Sequence, residues 1–333
     1  PFLLLRVIMA TLYLDRKGLE LRVDGAALAL YESGSRIRTV PLSLLDRVVF
    51  RAETVLTSSA LGALADSGCA AVVLSGRQGN RLAMVHGRPH NDAALRVAQY
   101  AQTGNAGWRL AWARRFIGAK IARQQRFLDR ALVMRADRCK ELSDALETLG
   151  MMRSRVEEDG MTPDSLRGIE GAAQAAYFRA FTSLFAGALH FHGRNRRPPR
   201  DPVNACLSLG YTLAHFEGVR LAHAAGLDPF LGFFHEIAFG RESLACDLIE
   251  PVRPLVDAWV WEMFRSRTLR PEHFKVDKGA CVIEKAGRAR FYQHYEHFMK
   301  TISVRLRGYC RLLARDLRAQ APQLPACDGE EDL

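Results

Sequence analysis

Paired cysteines, long apolar runs and phosphate-binding loops are all missing from this sequence of 333 residues. The seven cysteines are scattered with no CxxC pair, which excludes a zinc ribbon and is typical of free thiols in a reducing cytoplasm. No apolar run approaches the roughly 20 residues that a membrane-spanning helix needs. Gly76 and Gly79 are followed by neither a helix nor a Lys-Ser/Thr pair, so they form no phosphate loop. The sequence therefore predicts a cytoplasmic protein without a membrane segment.

Positive charge is what the sequence has in excess. There are 47 Lys and Arg residues against 36 Asp and Glu, which gives a net charge of +11 at pH 7. Residues 101–200 hold 18 basic and 10 acidic residues, so +8 of the net charge lies there. This excess of positive charge suggests a polyanionic partner, of which nucleic acid is the first candidate. Many basic proteins, however, bind no nucleic acid. The C-terminal end is acidic instead, and residues 321–333 are predicted to be a flexible, solvated tail.

The chain divides into a β-rich part and a helical part. Up to residue 88, short runs of β-forming residues alternate with turn signals such as Asp24-Gly25, which predicts a series of strands. From Asp92 onward, apolar residues recur with helical spacing. We therefore predict an α+β protein of two domains, a small β-rich domain over residues 9–88 and a larger all-α domain over residues 89–320. Residues 1–8 are expected to be cloning residues or the end of an upstream domain.

Two basic segments of the helical part are candidates for contacts with nucleic acid. In the predicted helix over residues 108–132, basic residues recur at intervals of three and four, which places them on one helix face. A solvated helix face explains the same pattern. The segment 194–200 is rich in Arg and Pro and is predicted to be a loop. The candidate contacts are Lys120, Arg123, Arg126, Arg194, Arg196 and Arg197.

Three local clusters in the helical part could carry chemistry. They centre on Glu170, on His235 and on the acids Asp247 and Glu250, which are three residues apart and would share a helix face. Each has a simpler explanation: a helix dipole favours an acid near a helix start, and a histidine among phenylalanines is usually a core residue. The acids at 247 and 250 lie in an apolar stretch, where a buried carboxylate needs a cation or an arginine such as Arg253.

Taken together, these side chains make an oxygen-rich site with one imidazole. Such a set suits magnesium or manganese better than zinc. A divalent ion of this kind can polarise a phosphodiester and help to form the attacking alkoxide or hydroxide. A cationic surface in the same domain would hold the phosphate backbone. The residue types thus point to metal-dependent work on DNA.

The same clusters resemble the CRISPR-associated integrase family. The segments GLDPFLGFFHE (226–236) and GRESLACDLIEPVRP (240–254) are similar to the family patterns GLxPxxGFxHE and GRxSLxxDLxExxRP. The segments IEG (169–171), RRPPRDPVNA (196–205) and KIARQQ (120–125) resemble further motifs of the same family. The resemblance extends from about residue 10 to about residue 318.

The resemblance implies a fold, a metal site and an activity. It implies a β-domain that mediates homodimerisation, followed by a helical catalytic domain with one magnesium or manganese ion held by Glu170, His235 and Glu250. Asp247 is the adjacent family acid, which either binds the metal or orients the site. The implied activity is transesterification that joins the 3′-hydroxyl ends of short DNA fragments to the CRISPR repeat.

The resemblance also implies partners. Two dimers would bridge a small companion protein, and a fused or associated reverse transcriptase is a further expectation because some family members have one. Two other functions fit the same residues. One is a DNA-binding scaffold subunit that has lost the chemistry, and the other is a hydrolytic nuclease that acts on branched DNA with water in place of the 3′-hydroxyl. We find no Ser-His-Asp arrangement, so no protein nucleophile is expected.

Overall fold

The N-terminal part of the chain consists mainly of short strands, as its β-forming segments predict. The computed structural model describes residues 7–8, 10–75, 80–85, 90, 92–195 and 198–321. Helix α1 (Ser58–Asp66) lies in this part, capped by the Thr57 hydroxyl. The strands are β1 (Val7–Ile8), β2 (Ala10–Leu14), β3 (Leu19–Asp24), β4 (Ala27–Glu32), β5 (Ser35–Pro41), β6 (Leu45–Phe50), β7 (Thr54–Leu56), β8 (Ala70–Ser75) and β9 (Asn80–Val85).

These strands form two sheets. One has the order β1-β2-β6-β8-β9, with β2, β6 and β8 parallel and the outer strands antiparallel to their neighbours. The other has the order β5-β4-β3-β7, in which β3, β4 and β5 form an antiparallel meander and β7 runs parallel to β3. β1 pairs with β2 through Val7 and Ile8, so these two residues belong to the first sheet.

The first sheet is buried on both faces. Leu12 and Leu14 pack with Leu21 and other residues of the second sheet into a small core. Tyr13 points the other way and joins the core of the helical part. This alternation follows from the two-residue period of a strand. The β-rich part is therefore packed directly against the helices that follow.

The helical part contains long helices with recognisable start signals. Asp201 caps the N-terminus of one of them, since its Oδ1 accepts a bond of 2.8 Å from the backbone nitrogen of Asn204, and Pro202 occupies the first turn. The helices are α2 (Ala93–Thr103), α3 (Ala106–Met134), α4 (Cys139–Val156), α5 (Pro163–Ser183), α6 (Pro202–Ala224), α7 (Ser243–Ile249), α8 (Arg253–Arg265) and α9 (Lys285–Arg318).

The fold class predicted from the sequence is confirmed, with one addition. The helical part also carries an antiparallel hairpin of β10 (Phe274–Asp277) and β11 (Ala280–Ile283), so it is not purely α-helical. Its two-residue turn has positive φ at both Lys278 and Gly279, as the twist of a tight hairpin requires. Within the described ranges, no helix is both long and apolar enough to cross a membrane. The predicted tail, from residue 322 on, lies outside the described residues.

A buried ion pair joins the two parts. Arg47 of β6 lies with its Nη1 3.1 Å from Oε2 of Glu217 on α6, and its Nε donates to Thr11 of β2. Glu217 also accepts hydrogen bonds from Arg220 and from Ser303 of α9. Burial alone would raise the pKa of the Glu217 carboxyl, but the two guanidinium groups outweigh burial and lower it to about 2. The β-sheet is thus anchored to α6 by an ion pair, and the Ser303 hydroxyl links α9 to the same carboxylate.

Candidate metal centre

Three helical segments bring two predicted metal ligands together around an ammonium group. Glu170 lies on α5, and Glu250 follows the last residue of α7 in a short 3₁₀ turn. Nζ of Lys120, on α3, lies 2.5 Å from Oε1 of Glu170 and 2.7 Å from Oε2 of Glu250. The lysine therefore bridges the two carboxylates that the sequence analysis assigned to the metal.

Glu250 is buried and ionised because cations surround it. Nε of Arg253 lies 2.9 Å from its Oε1, although the N–H does not point along that line. Burial alone would raise the pKa of this carboxyl, but Arg253 and Lys120 outweigh burial and lower it to about 2. Each oxygen of Glu250 thus faces its own basic side chain.

His235 lies in the loop that precedes α7, and the loop reaches that helix because of a glycine. A Cβ on Gly232 would lie 2.6 Å from the backbone carbonyl carbon of Ser243, so only glycine permits this approach. The backbone nitrogen of Leu244 also donates to the carbonyl oxygen of Pro229, at 2.9 Å. The residues after Gly232 are therefore held close to the start of α7.

Asp247 contacts both the backbone and the ring of His235. Its carboxylate is fully buried and accepts bonds from the backbone nitrogens of Phe233, Phe234 and His235, at 2.6, 3.0 and 2.9 Å. It also lies 2.6 Å from Nδ1 of His235. An ionised carboxylate can only accept, so Nδ1 is the donor in this contact and Nε2 is the ring nitrogen left for another partner. With four donors around it, Asp247 orients the histidine and has no exposed oxygen for a metal.

The donor set fits a hard divalent cation. Nε2 of His235 lies 4.0 Å from Oε1 of Glu250, and the other ring nitrogen is fixed by a carboxylate, as is usual for a metal-ligating histidine. Glu170 and Glu250 supply oxygen, the ligand type that magnesium and manganese prefer. In the described part of the chain, no three His, Cys, Asp or Glu side chains already form a compact cluster.

The position of Lys120 corrects its assignment as a DNA contact. Its side chain is 5% exposed and faces the protein interior with Gln124 and Phe127, which lie one and two turns further along α3. At 100° per residue, Arg126 lies about 240° around the helix from Lys120. The basic residues therefore do not share one exposed face, as the three- and four-residue spacing suggested.

The other predicted DNA contacts divide between structural and exposed positions. Arg123 is half-buried and donates from Nη1 to the carbonyl oxygen of Pro251, at 2.9 Å. Arg194 donates to Asn204 and Ser208 of α6, at 2.8 and 3.0 Å, so it holds its loop against that helix. Arg126 is exposed and remains a candidate for contacts with phosphate. Arg196 and Arg197 lie outside the described residues.

Behind Arg253 lies a buried polar group that the sequence analysis did not identify. The guanidinium of Arg253 lies 5.0 Å from the ring centroid of Tyr211. Tyr211 and Tyr177 both donate hydroxyl hydrogen bonds to the buried carboxylate of Asp257 on α8. Burial raises the pKa of Asp257 to about 6 despite these bonds. In the sequence, the sign that could have indicated this network is a carboxylate four residues after Arg253.

Comparison with known proteins identifies the family. Residues 12–297 match the family described as CRISPR associated protein Cas1. The chain belongs to the Cas1 family. A CRISPR-associated endonuclease Cas1 from Thermodesulfovibrio yellowstonii is 40% identical over 315 residues, which cover 92% of this chain and 96% of that protein.

Solved structures with similar folds agree with this assignment. A CAS1 protein from Thermotoga maritima superposes with a TM-score of 0.80 at 24% identity, covering 97% of this chain and all of that one. A casposase bound to integration product gives a TM-score of 0.77 at 22% identity, covering 97% and 95%. A chain of a Cas6-RT-Cas1–Cas2 complex also gives 0.77, at 21% identity, and there the match covers 96% of this chain and 36% of the larger one. The Cas1 fold is shared over nearly the whole chain.

Proposed function

We propose that this Cas1 chain is a metal-dependent DNA integrase and endonuclease of CRISPR adaptation. It would join the 3′-hydroxyl ends of short double-stranded DNA fragments to the CRISPR repeat by transesterification. The observation that carries the proposal is the position of Glu250, which shares the Lys120 ammonium with Glu170 and lies 4.0 Å from Nε2 of His235. Asp247 contacts the other nitrogen of that imidazole. The endonuclease name of the 40% identical relative and the integration product bound to the casposase support the proposal.

The ligands of the metal would be Glu170, Glu250 and Nε2 of His235. Magnesium or manganese, when bound, would stabilise negative charge on the phosphate and lower the pKa of the incoming 3′-hydroxyl. Asp247 keeps the proton of the imidazole on Nδ1, which leaves Nε2 available. Arg253 holds the opposite oxygen of Glu250, so the carboxylate is fixed on both sides. The protein thus contributes orientation and ionised ligands, and no side chain is needed as a nucleophile.

The proposed partners follow from the family. The β-rich part would form a homodimer, and two dimers would bridge a small companion protein. A similar chain occurs in a complex of Cas6-RT-Cas1 with Cas2, which supports a companion protein and an associated reverse transcriptase as partners. Exposed basic residues such as Arg126 would contact the DNA backbone, in which case binding weakens steeply with salt.

The test is His235→Ala in a strand-joining assay with Mn²⁺ as the metal. We expect joined product to disappear, because the variant lacks the nitrogen ligand while the buried Asp247 remains. His294→Ala, which removes an exposed histidine of α9, is the matched control and should join DNA as the unmodified protein does. Joining by His235→Ala at the unmodified level would overturn the assignment.

The products of the unmodified protein separate the two alternative functions. A hydrolytic nuclease would give nicked products from branched DNA and no joined strands. A scaffold subunit would bind DNA equally well with and without chelator and would give neither product. Either result would replace the integrase proposal.

A further inference from the structure

The ammonium group of Lys120 occupies the place where Glu170 and Glu250 would share a metal ion. It lies within 2.7 Å of one oxygen of each carboxylate, and its side chain is only 5% exposed. Two carboxylates this close to one another repel, and burial makes each charge costly unless a cation compensates it. Lys120 supplies that compensation from within the chain.

A second polar contact between α3 and α5 fixes the position of the two helices around Lys120 and Glu170. One turn beyond Lys120 on α3, Gln124 donates from Nε2 to Oε1 of Gln174, at 3.0 Å. Gln174 in turn lies one turn beyond Glu170 on α5. The polar contacts therefore form two successive rungs between α3 and α5, and Lys120 is placed by the helix that carries it.

Each oxygen of Glu250 already faces a basic side chain. Its Oε2 faces Lys120 and its Oε1 faces Arg253. A magnesium ion needs oxygen ligands at about 2.0–2.1 Å, so an ion shared by Glu170 and Glu250 would occupy the position of the Lys120 ammonium. Arg253 is stacked on Tyr211 and is therefore the more constrained of the two. Lys120, a flexible chain with a compact charge, is the group that can withdraw.

We propose that Lys120 is the built-in counter-cation of the metal site. Its ammonium holds Glu170 and Glu250 together before metal binds, and a divalent ion enters by displacing it from between them. This inference rests on the proposed function, because it takes both glutamates to be metal ligands. Metal binding is then an exchange of cations. The free energy needed to displace the lysine lowers the affinity of the site for the metal.

The exchange is tested by metal binding in the absence of DNA. Mn²⁺ alone is titrated into the full chain, and free Mn²⁺ is followed by electron paramagnetic resonance. Lys120→Met removes the competing charge and should lower the dissociation constant by at least about tenfold. Arg126→Met removes a charge from the exposed face of the same helix and should leave the constant unchanged. Lys120→Gln, which keeps a hydrogen-bond donor, is measured alongside in case the methionine variant does not fold.

A second readout follows the metal-free protein. In EDTA, Lys120→Met should melt at a lower temperature than Arg126→Met, because the two carboxylates lose their shared cation. Added Mn²⁺ should then raise the melting temperature of Lys120→Met more than that of the unmodified protein. Equal gains in the two proteins would contradict the exchange.

The outcomes distinguish this inference from the proposed function. If Glu250→Gln abolishes Mn²⁺ binding but the Lys120 variants bind Mn²⁺ no more tightly than the unmodified protein, the inference is wrong and the metal site stands. If Glu250→Gln binds Mn²⁺ as the unmodified protein does, the proposed metal site itself is wrong. Tighter binding by either folded Lys120 variant, with no change in Arg126→Met, supports the exchange.

Discussion

Replacing Asp247 by asparagine leaves His235 in the chain but removes hydrogen bonds that orient it. The carboxylate accepts two hydrogen bonds at each oxygen: Phe233 and Phe234 donate to Oδ2, while the backbone nitrogen and Nδ1 of His235 lie against Oδ1. An asparagine has the same shape but only one accepting oxygen. Whichever way its amide turns, its NH₂ group faces donors that it cannot satisfy. Two of the four hydrogen bonds are therefore lost or reversed.

The size of the effect follows from those two bonds. A hydrogen bond to a charged group contributes about 1.5–3 kcal/mol, so Asp247→Asn should lower the free energy of unfolding by about 3–6 kcal/mol. At about 2 °C per kcal/mol for a chain of this size, the melting temperature should fall by about 6–12 °C. Losing the carboxylate behind a metal-ligating histidine should weaken metal binding and strand joining by about 10–100-fold.

The assay combines calorimetry with Mn²⁺ titration and strand joining at a temperature where the variant is folded. Glu217→Gln is the matched control, since it removes a buried carboxylate from the ion pair between the β-sheet and α6. It should cost about 3–5 kcal/mol of stability and leave Mn²⁺ affinity unchanged. If Asp247→Asn bound Mn²⁺ as tightly as Glu217→Gln does, Asp247 would have no part in orienting the histidine.

Two further predictions concern the domain junction and the DNA surface. The pKa of Glu217 lies at about 2, below its ordinary value of 4.5, so its ion pairs stabilise the fold fully above that ordinary value and lose their effect as the pH falls toward 2. In Glu217→Gln, the free energy of unfolding should therefore depend less steeply on pH in the acid range. An unchanged slope would contradict this. Arg126→Ala should reduce the salt dependence of DNA binding by about one phosphate contact, measured by fluorescence anisotropy. An unaltered salt slope would mean that Arg126 does not contact the backbone.

The β-rich and helical parts could be predicted from local patterns, because the spacing of apolar residues along the chain differs between a strand and a helix. Helix α3 was predicted over residues 108–132 and extends over Ala106–Met134. The hairpin after α8 was missed, although the turn pair Lys278-Gly279 lies between its strands. Two four-residue strands carry too few residues for a period to stand out among helical neighbours.

The sequence likewise predicted one part of the candidate site and left another part open. The sequence motifs determined which acids and which histidine to consider. In the structure, Lys120 contacts both Glu170 and Glu250, and Nε2 of His235 lies 4.0 Å from Glu250. Their role as metal ligands stays a prediction. The motifs left open whether Asp247 binds metal or orients the site, and its four buried hydrogen bonds favour orientation. That choice depends on the loop from Gly232, which is brought to α7 by packing rather than by sequence spacing.

What the sequence by itself determined is the set of residue types and their local spacing: strands first, helices next, and a histidine with carboxylates embedded in apolar segments. What only the tertiary structure decided is which side of a helix becomes interior. Lys120 and Arg126 share a helix and a charge, yet one is buried between two glutamates and the other faces solvent. The reason is physical, because a buried lysine is stable only where other segments supply its carboxylates. Here those carboxylates come from residues 50 and 130 positions away in the chain.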